Sequence, residues 1–340
     1  GKNRAALATA VSESQARRAE VAQARLILTT SIARSYADLA RLVADRTTAE
    51  KALDIRTKTW SLFNERQQQG LENVGAVSQA AGKMHLVENE LVQIDVRIAE
   101  TRNRLAALVG AGPDRGLKIQ PPATLLQARY ALPPDIGINL VGRRPDIVAS
   151  RWQAEAGQSR IENRKAQFYP NVNIAAFVGG QSLGINRLIE SGSYMSNAGP
   201  AIYLPIFLGG KLRADLAAAR AEYDESVANY EKTLVQALNE VADVVAGLQQ
   251  LQKQINLADR SVAAQNRGLQ VAGNRYRGGL ANYLDVLVAE DELLNSWRVQ
   301  TDVQTRAFIL DVAMIKALGG GYETSAAQDR IDIKKTEELP

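Results

Sequence analysis

The sequence contains no cysteine and a single histidine, His85. The first absence excludes disulfide scaffolds, thiolate zinc sites and cysteine nucleophiles. The second excludes most metal-ligand clusters and any Ser-His-Asp site in which His85 is not the base. Aromatic residues make up only 5% of the chain, and 41 basic residues are nearly balanced by 37 acidic ones. No basic block with interleaved aromatics occurs, so nothing points to nucleic acid. There is no run of 18 apolar residues and hence no candidate transmembrane helix. The one phosphate-loop-like stretch, Gly209-Gly210-Lys211, has Pro205 where a glycine would be required and Leu212 where Ser or Thr would follow. The carboxylates scatter along the chain without a paired constellation, so no enzyme and no cofactor is implied.

What is present is an internal repeat. GKNRAALATA (1–10) returns as GKLRADLAAA (210–219), a shift of 209 residues. The same ungapped shift places Arg66, Gly70, Leu71 and Asn73 on Arg275, Gly279, Leu280 and Asn282, and Gly110 and Gly112 on Gly319 and Gly321. A register held at both ends and in the middle marks a duplication. Residues 113–209 have no counterpart before Gly1, so the repeat predicts about a hundred further residues upstream. A signal peptide or a lipid-bearing cysteine would lie there.

Residues 2–66 hold neither Gly nor Pro and are rich in Ala, Arg, Glu, Gln and Leu. Residues 211 to about 272 have a similar composition and no proline. Both segments favour helix, each roughly 90–100 Å long at 1.5 Å per residue. Turn sequences at 67–76 and 275–284 end them, and a second helix follows each. In the first repeat Val77, Ala80, Met84, Val87, Leu91, Ile94, Ile98, Thr101, Leu105 and Leu108 alternate spacings of three and four, a coiled-coil seam. In the second the same register reads Val286, Ala289, Leu293, Ser296, Gln300, Val303, Ala307, Leu310, Met314 and Ala317, smaller and partly polar. Glycines at 110–112 and 319–321 suit left-handed helix ends. Each repeat therefore carries a long helical hairpin, over residues 1–112 and 211–321.

Residues 113–144 are proline-rich and read as an extended linker, followed by a helix at 145–167 with Pro145 in its first turn. Residues 168–210 contain two strand-like pieces, 168–180 and 198–210. Val172, Ile174 and Val178 share one face of the first, and Ile202, Leu204, Ile206 and Leu208 share one face of the second. Period-two alternation around a polar loop (181–197) is the pattern of a hairpin apolar on one side, and of a membrane barrel strand pair. One hairpin cannot span a bilayer, because open sheet edges are not tolerated in lipid. Even with a duplicated partner, closure would need several chains. Residues 322–340 form a polar tail.

GRRPDIVASRWQAEAGQSRIENRKAQFYPNVNI, AIYLPIFLGGKLRADL, NRYRGGLANYLDVLVAEDELL and KALGGGY, in that order and spacing, resemble the TolC-type outer-membrane efflux proteins, close to the OprM and NodT branch. The resemblance runs from residue 1 to about 322. It implies a mainly α fold with a small β part: a homotrimer in which duplicated helical hairpins form an α-barrel tunnel across the periplasm. Each chain would give four strands to one twelve-stranded transmembrane β-barrel. It implies residence in the outer membrane of a Gram-negative cell, outer-membrane lipid around the strands, and a periplasmic adaptor (membrane fusion) protein. It also implies an inner-membrane pump of the RND or MFS class.

The resemblance also suggests site residues. A constriction follows the tip turn of the second hairpin, where Asp285 matches an acidic position and Leu284 an apolar one. Val288 stands where the family often has a second aspartate. Asp285 is equally a solvated residue near a helix start. Arg275, Tyr276 and Arg277 are placed to hold the closed state by pairing with a neighbouring hairpin, or form a plain exposed basic cluster. Gly70, Leu71, Asn73, Gly279, Leu280 and Asn282 mark turns and the expected adaptor contacts. The rival from another class is a periplasmic coiled-coil adaptor without a membrane barrel, which would have to bury the apolar strand faces elsewhere.

Overall fold

The computed structural model describes residues 1–121, 142–180 and 194–322. Most of the expected linker, the hairpin loop and the polar tail lie outside the described residues. Among the described residues the order is α1 (Lys2–Gln68), α2 (Val74–Leu108), α3 (Pro113–Leu117), α4 (Pro145–Ala166), β1 (Asn171–Gly180), β2 (Tyr194–Tyr203), α5 (Lys211–Arg277) and α6 (Tyr283–Ala317). The two long helices have 67 residues each and the two shorter partners 35 each, as a duplication requires. The start of the proline-rich segment, expected to be extended, is instead helical. In α3, Pro113 occupies the first turn and Asp114 sits at the positive helix end.

The chain divides into two compact units, residues 1–22 with 145–236 and residues 23–144 with 237–340. In the first, α4 packs against the beginnings of α1 and α5. Small residues allow the approach: Ala16, Ala19, Ala156 and Ala219 are buried. A Cβ at Gly157 would lie 3.3 Å from the Ser226 hydroxyl oxygen and 3.4 Å from the Tyr223 backbone. Arg160 pairs with Glu13, the Gln153 amide donates to Glu20 (2.8 Å), and the Asn163 amide donates to the Lys2 carbonyl (2.9 Å).

The same unit holds one antiparallel hairpin, with Asn171 opposite Tyr203 and Gly180 opposite Tyr194. The second strand is shifted from its expected position, and Leu204, Ile206 and Leu208 lie past its end. The cause is proline. Extending the ladder would pair Leu204 with Pro170 and Tyr169 with Pro205, and neither proline has an N–H to give. The chain turns there instead, the Ile206 amide donating to the Leu204 carbonyl across Pro205 at 3.0 Å. Partners directly opposite share a face, so Val172, Ile174, Ala176 and Val178 lie with Ile202, Pro200, Ala198 and Ser196. That face is uncovered: Ile174 is 88% and Val178 85% exposed.

In the second unit the remainder of α1 and α2 enclose Leu39, Leu42, Ala49, Ile94, Ile98 and Leu105. All ten seam positions of α2 and all ten of α6 are buried or half-buried. The α6 helix buries a second row as well, including Leu287, Glu290, Leu294, Thr301 and Thr305. Gly247 lets α5 pass close to α6, where a Cβ would lie 2.9 Å from Leu310. Left-handed glycines close α2 and α6, Gly110 at φ 72° and Gly319 at φ 83°. No helix of the described residues is long and apolar enough to cross a membrane.

Candidate functional site at the helical tips

Two turns join the long helices to their partners, and both use the same parts. Gly70 (φ 73°) and Gly279 (φ 70°) adopt the left-handed conformation. Behind them the amides of Leu71 and Leu280 each donate 2.8 Å back to the carbonyls of Arg66 and Arg275. This is the glycine-dependent closure in which a six-residue bond satisfies carbonyls left over at the helix end. Asn73 and Asn282 then cap α2 and α6, their side chains accepting from the amides of Ala76 (2.9 Å) and Asp285 (3.0 Å). At the second tip the cap is reciprocal, because the Asp285 carboxylate accepts from the Asn282 amide at 3.1 Å.

The two tips meet through one apolar cluster drawn from four helices: Phe63 of α1, Ala76 and Ala80 of α2, Tyr276 of α5, and Val286 and Leu287 of α6. Tyr276 is its polar exit. Its ring is 3% exposed, lies 5.2 Å from the Phe63 ring, and carries the Arg66 guanidinium 4.8 Å above its centroid. Its hydroxyl donates to the Glu72 carboxylate at 2.7 Å. Burial, reinforced by that carboxylate, pushes the phenol well above its ordinary value near 10, so the hydroxyl stays a donor.

The basic residues flanking Tyr276 do something else. Arg275 reaches the Leu280 carbonyl (3.5 Å), and Arg277 bonds to Gly273 and Asn274 on its own helix. Of the expected polar cluster, the described contacts between hairpins thus come from Tyr276. Leu284 and Val288, 46% and 58% exposed, flank the exposed Asp285 on the outer side of α6. Leu71 and Leu280 project at the turns, both exposed.

Further from the turns lies a node that the sequence pattern did not reveal. Arg56 of α1 and Glu290 of α6, 2% and 1% exposed, form an ion pair. Thr59 donates its hydroxyl to the same carboxylate, and Arg56 also binds Asp291, which Lys83 of α2 neutralises from the other side. Burial raises the Glu290 carboxyl above its usual range, and Thr59 and Arg56 oppose that shift. Three helices are therefore tied at one level, and a signal for this existed. Glu290 interrupts the apolar row Leu287, Leu294 at helical spacing, where a charge requires a partner. His85, by contrast, bonds to Glu88 one turn along its own helix, at 2.8 Å on the surface.

Long duplicated hairpins, a short apolar β-hairpin and a clamped four-helix tip together define a class, the TolC-type channel proteins. The comparisons agree. The chain belongs to the outer membrane efflux protein family, which it matches over residues 1–111 and 139–320. The outer-membrane protein VceC of Vibrio cholerae has a solved structure that superposes with a TM-score of 0.88 at 50% identity, covering 95% of this chain and 77% of that one. The multidrug resistance outer membrane protein MdtP of Escherichia coli K12 is 28% identical over 330 residues, 97% of this chain and 67% of MdtP. The cation efflux system protein CusC of the same strain is 28% identical over 296 residues, 87% of this chain and 65% of CusC. The chain thus spans about two thirds of the length of the curated relatives it matches. It is an outer-membrane efflux protein, and the fold class expected from its resemblance is the one found.

Proposed function

We propose that the chain is one protomer of a trimeric exit duct, passively conducting small toxic compounds outward and closed at the tips of its second hairpins. The carrying observation is the Tyr276–Glu72 contact over a shared apolar cluster, which pins the second hairpin to the first. Three protomers would bring Leu284, Asp285 and Val288 around one axis. A single ring of Asp285 carboxylates would attract cations and repel anions at a narrow neck. The exposed turn residues Leu71, Asn73, Leu280 and Asn282, set by Gly70 and Gly279, would meet a periplasmic adaptor protein. Energy would come from an inner-membrane pump of the RND or MFS class. Val172, Ile174, Val178 and Ile202 would face lipid, since a two-stranded ribbon with an uncovered apolar face is unstable in water. Leu204, Ile206 and Leu208 would lie at the membrane edge, beyond the paired strand.

The test is fractionation of the full-length protein followed by mass measurement in detergent. Recovery from the outer membrane as a trimer is the expected result. Recovery as a soluble periplasmic monomer would favour the coiled-coil adaptor reading and remove the duct.

A further inference from the structure

The α4 helix packs against the beginnings of both long helices, and the two repeat copies turn opposite sides to it. On α1 the residues Ala5, Thr9, Ser12, Ala16 and Ala19 are buried or half-buried. Their counterparts under the 209-residue shift, Ala214, Ala218, Ala221, Glu225 and Ala228 of α5, are all exposed. The reverse also holds. On α5 the covered residues include Ala219, Tyr223, Ser226 and Tyr230, and their counterparts Ala10, Ser14, Arg17 and Val21 on α1 are exposed. Contacts of α4 account for both covered sides. Arg160 and Gln153 bond to Glu13 and Glu20 of α1, and Gly157 lies against Tyr223 and Ser226 of α5. Each long helix therefore leaves uncovered the side that its copy buries.

The duplication predicts a helix for those sides, a copy of α4 about 209 residues ahead of it. The chain spans 67% of MdtP, which leaves room for that copy. It would precede α1 as α4 precedes α5, and so cover α1 at Ala10, Ser14, Arg17 and Val21. Its other side would then match an α5 helix at Ala221 and Ala228, as α4 matches α1 at Ser12 and Ala19. That α5 belongs to another chain, because its covered and uncovered sides diverge too widely for a small ring. Ala219 and Ala221, like Ser226 and Ala228, are two residues apart, which sets the sides roughly 160° from each other. Four helices closing within one chain would need about 90° at each helix, and twelve helices from three chains about 150°. We infer that the face of α5 centred on Ala221 and Ala228 is the subunit interface and receives the upstream copy of α4 from a neighbouring protomer. Four of its five residues are alanine, which lets helices approach closely, as Ala16 and Ala19 do where α4 meets α1. Glu225 stands in the place of Ala16, so the incoming helix brings a cation or a hydrogen-bond donor to that level, where a covered carboxylate needs one. The inference rests on the proposed trimer and names the surfaces that close it.

The experiment is photo-crosslinking of the purified full-length protein in detergent, with a small diazirine amino acid replacing Glu225. The expected result is a chain dimer on a denaturing gel, whose joined peptide lies about 209 residues ahead of α4. The same group replacing Tyr223 should join α4 of its own chain and give no dimer. Ala228→Trp should abolish the trimer, whereas Asp224→Trp, at an exposed position beside the face, should leave it. A crosslink from residue 225 within one chain, or to any other segment, overturns the inference, as does a trimer that survives Ala228→Trp. If Ala228→Trp does not fold, the crosslink alone decides. Failure of the wild type to form a trimer defeats the duct and this interface together, whereas a trimer joined elsewhere defeats the interface alone.

Discussion

The two helical tips descend from one sequence and keep the same arginine, glycine, leucine and asparagine, yet the residues between these differ and make different contacts. Both close a 67-residue helix with a left-handed glycine and open a 35-residue helix with asparagine. The position three residues after that asparagine is Ala76 in the first tip and Asp285 in the second. The first cap is therefore one-sided, and Ala76 turns into the shared apolar cluster. The second cap is reciprocal and holds an exposed carboxylate, Asp285, away from the apolar cluster. Likewise Gln67 of the first repeat is Tyr276 in the second, and only the tyrosine supplies both a buried ring and a hydroxyl for Glu72. Duplication gave two equal turns, and a few side chains made the first a support and the second a part held against it.

That contrast can be broken most severely away from the turns. Arg56→Met would leave Glu290 buried without its cation, at a cost of about 3–5 kcal/mol. Thermal unfolding in detergent should show a large drop in midpoint. Adding Glu290→Leu should restore most of it, because an apolar pair of similar volume avoids desolvation of both charges.

Removing the hydroxyl at Tyr276 should matter less, by about 1.5–3 kcal/mol for a hydrogen bond to a charged acceptor. Its pH dependence has a definite sign. A phenol whose folded pKa is raised contributes its stability below the ordinary value near 10, and loses it as pH rises towards the folded value. Glu72 and Arg66 are the charged groups against it. Tryptic cleavage at Arg275 and Arg277 should accelerate only at strongly alkaline pH in the wild type. In Tyr276→Phe it should be fast already at neutral pH, with no alkaline step.

Smaller again are the caps. Asn73→Ala should cost about 1 kcal/mol, and Asn282→Ala somewhat less, because the backbone amide of residue 282 keeps its bond to the Asp285 carboxylate. Hydrogen exchange at the amides of residues 283–286 and 74–77 would compare them directly, and equal acceleration would count against the distinction. Asp285→Asn keeps an oxygen for the Asn282 amide and removes the charge. It should leave exchange nearly unchanged while lowering cation preference a few-fold in bilayer recordings.

Much of this molecule was legible in its residues because the signals are local. The absence of glycine and proline over 2–66 announces a very long helix, and the glycines at 70, 110, 279 and 319 mark its stops. The pattern Asn282-x-x-Asp285 carries the capping box on its face. The second strand was misplaced because apolar alternation continues to Leu208, whereas pairing depends on donors that Pro170 and Pro205 lack. Glu72 and Arg56 could not be found by pattern. Their partners lie 204 and 234 residues away, and nothing local distinguishes them from the many other charges on these helices.

The most direct test of the account is the single-channel conductance of the full-length protein in planar bilayers, wild type against Tyr276→Phe. Small, cation-preferring openings are expected in the wild type, and a several-fold larger conductance once the hydroxyl no longer holds Glu72. Equal conductance in the two proteins would contradict it, because the second tip would then not be the closed end of the duct.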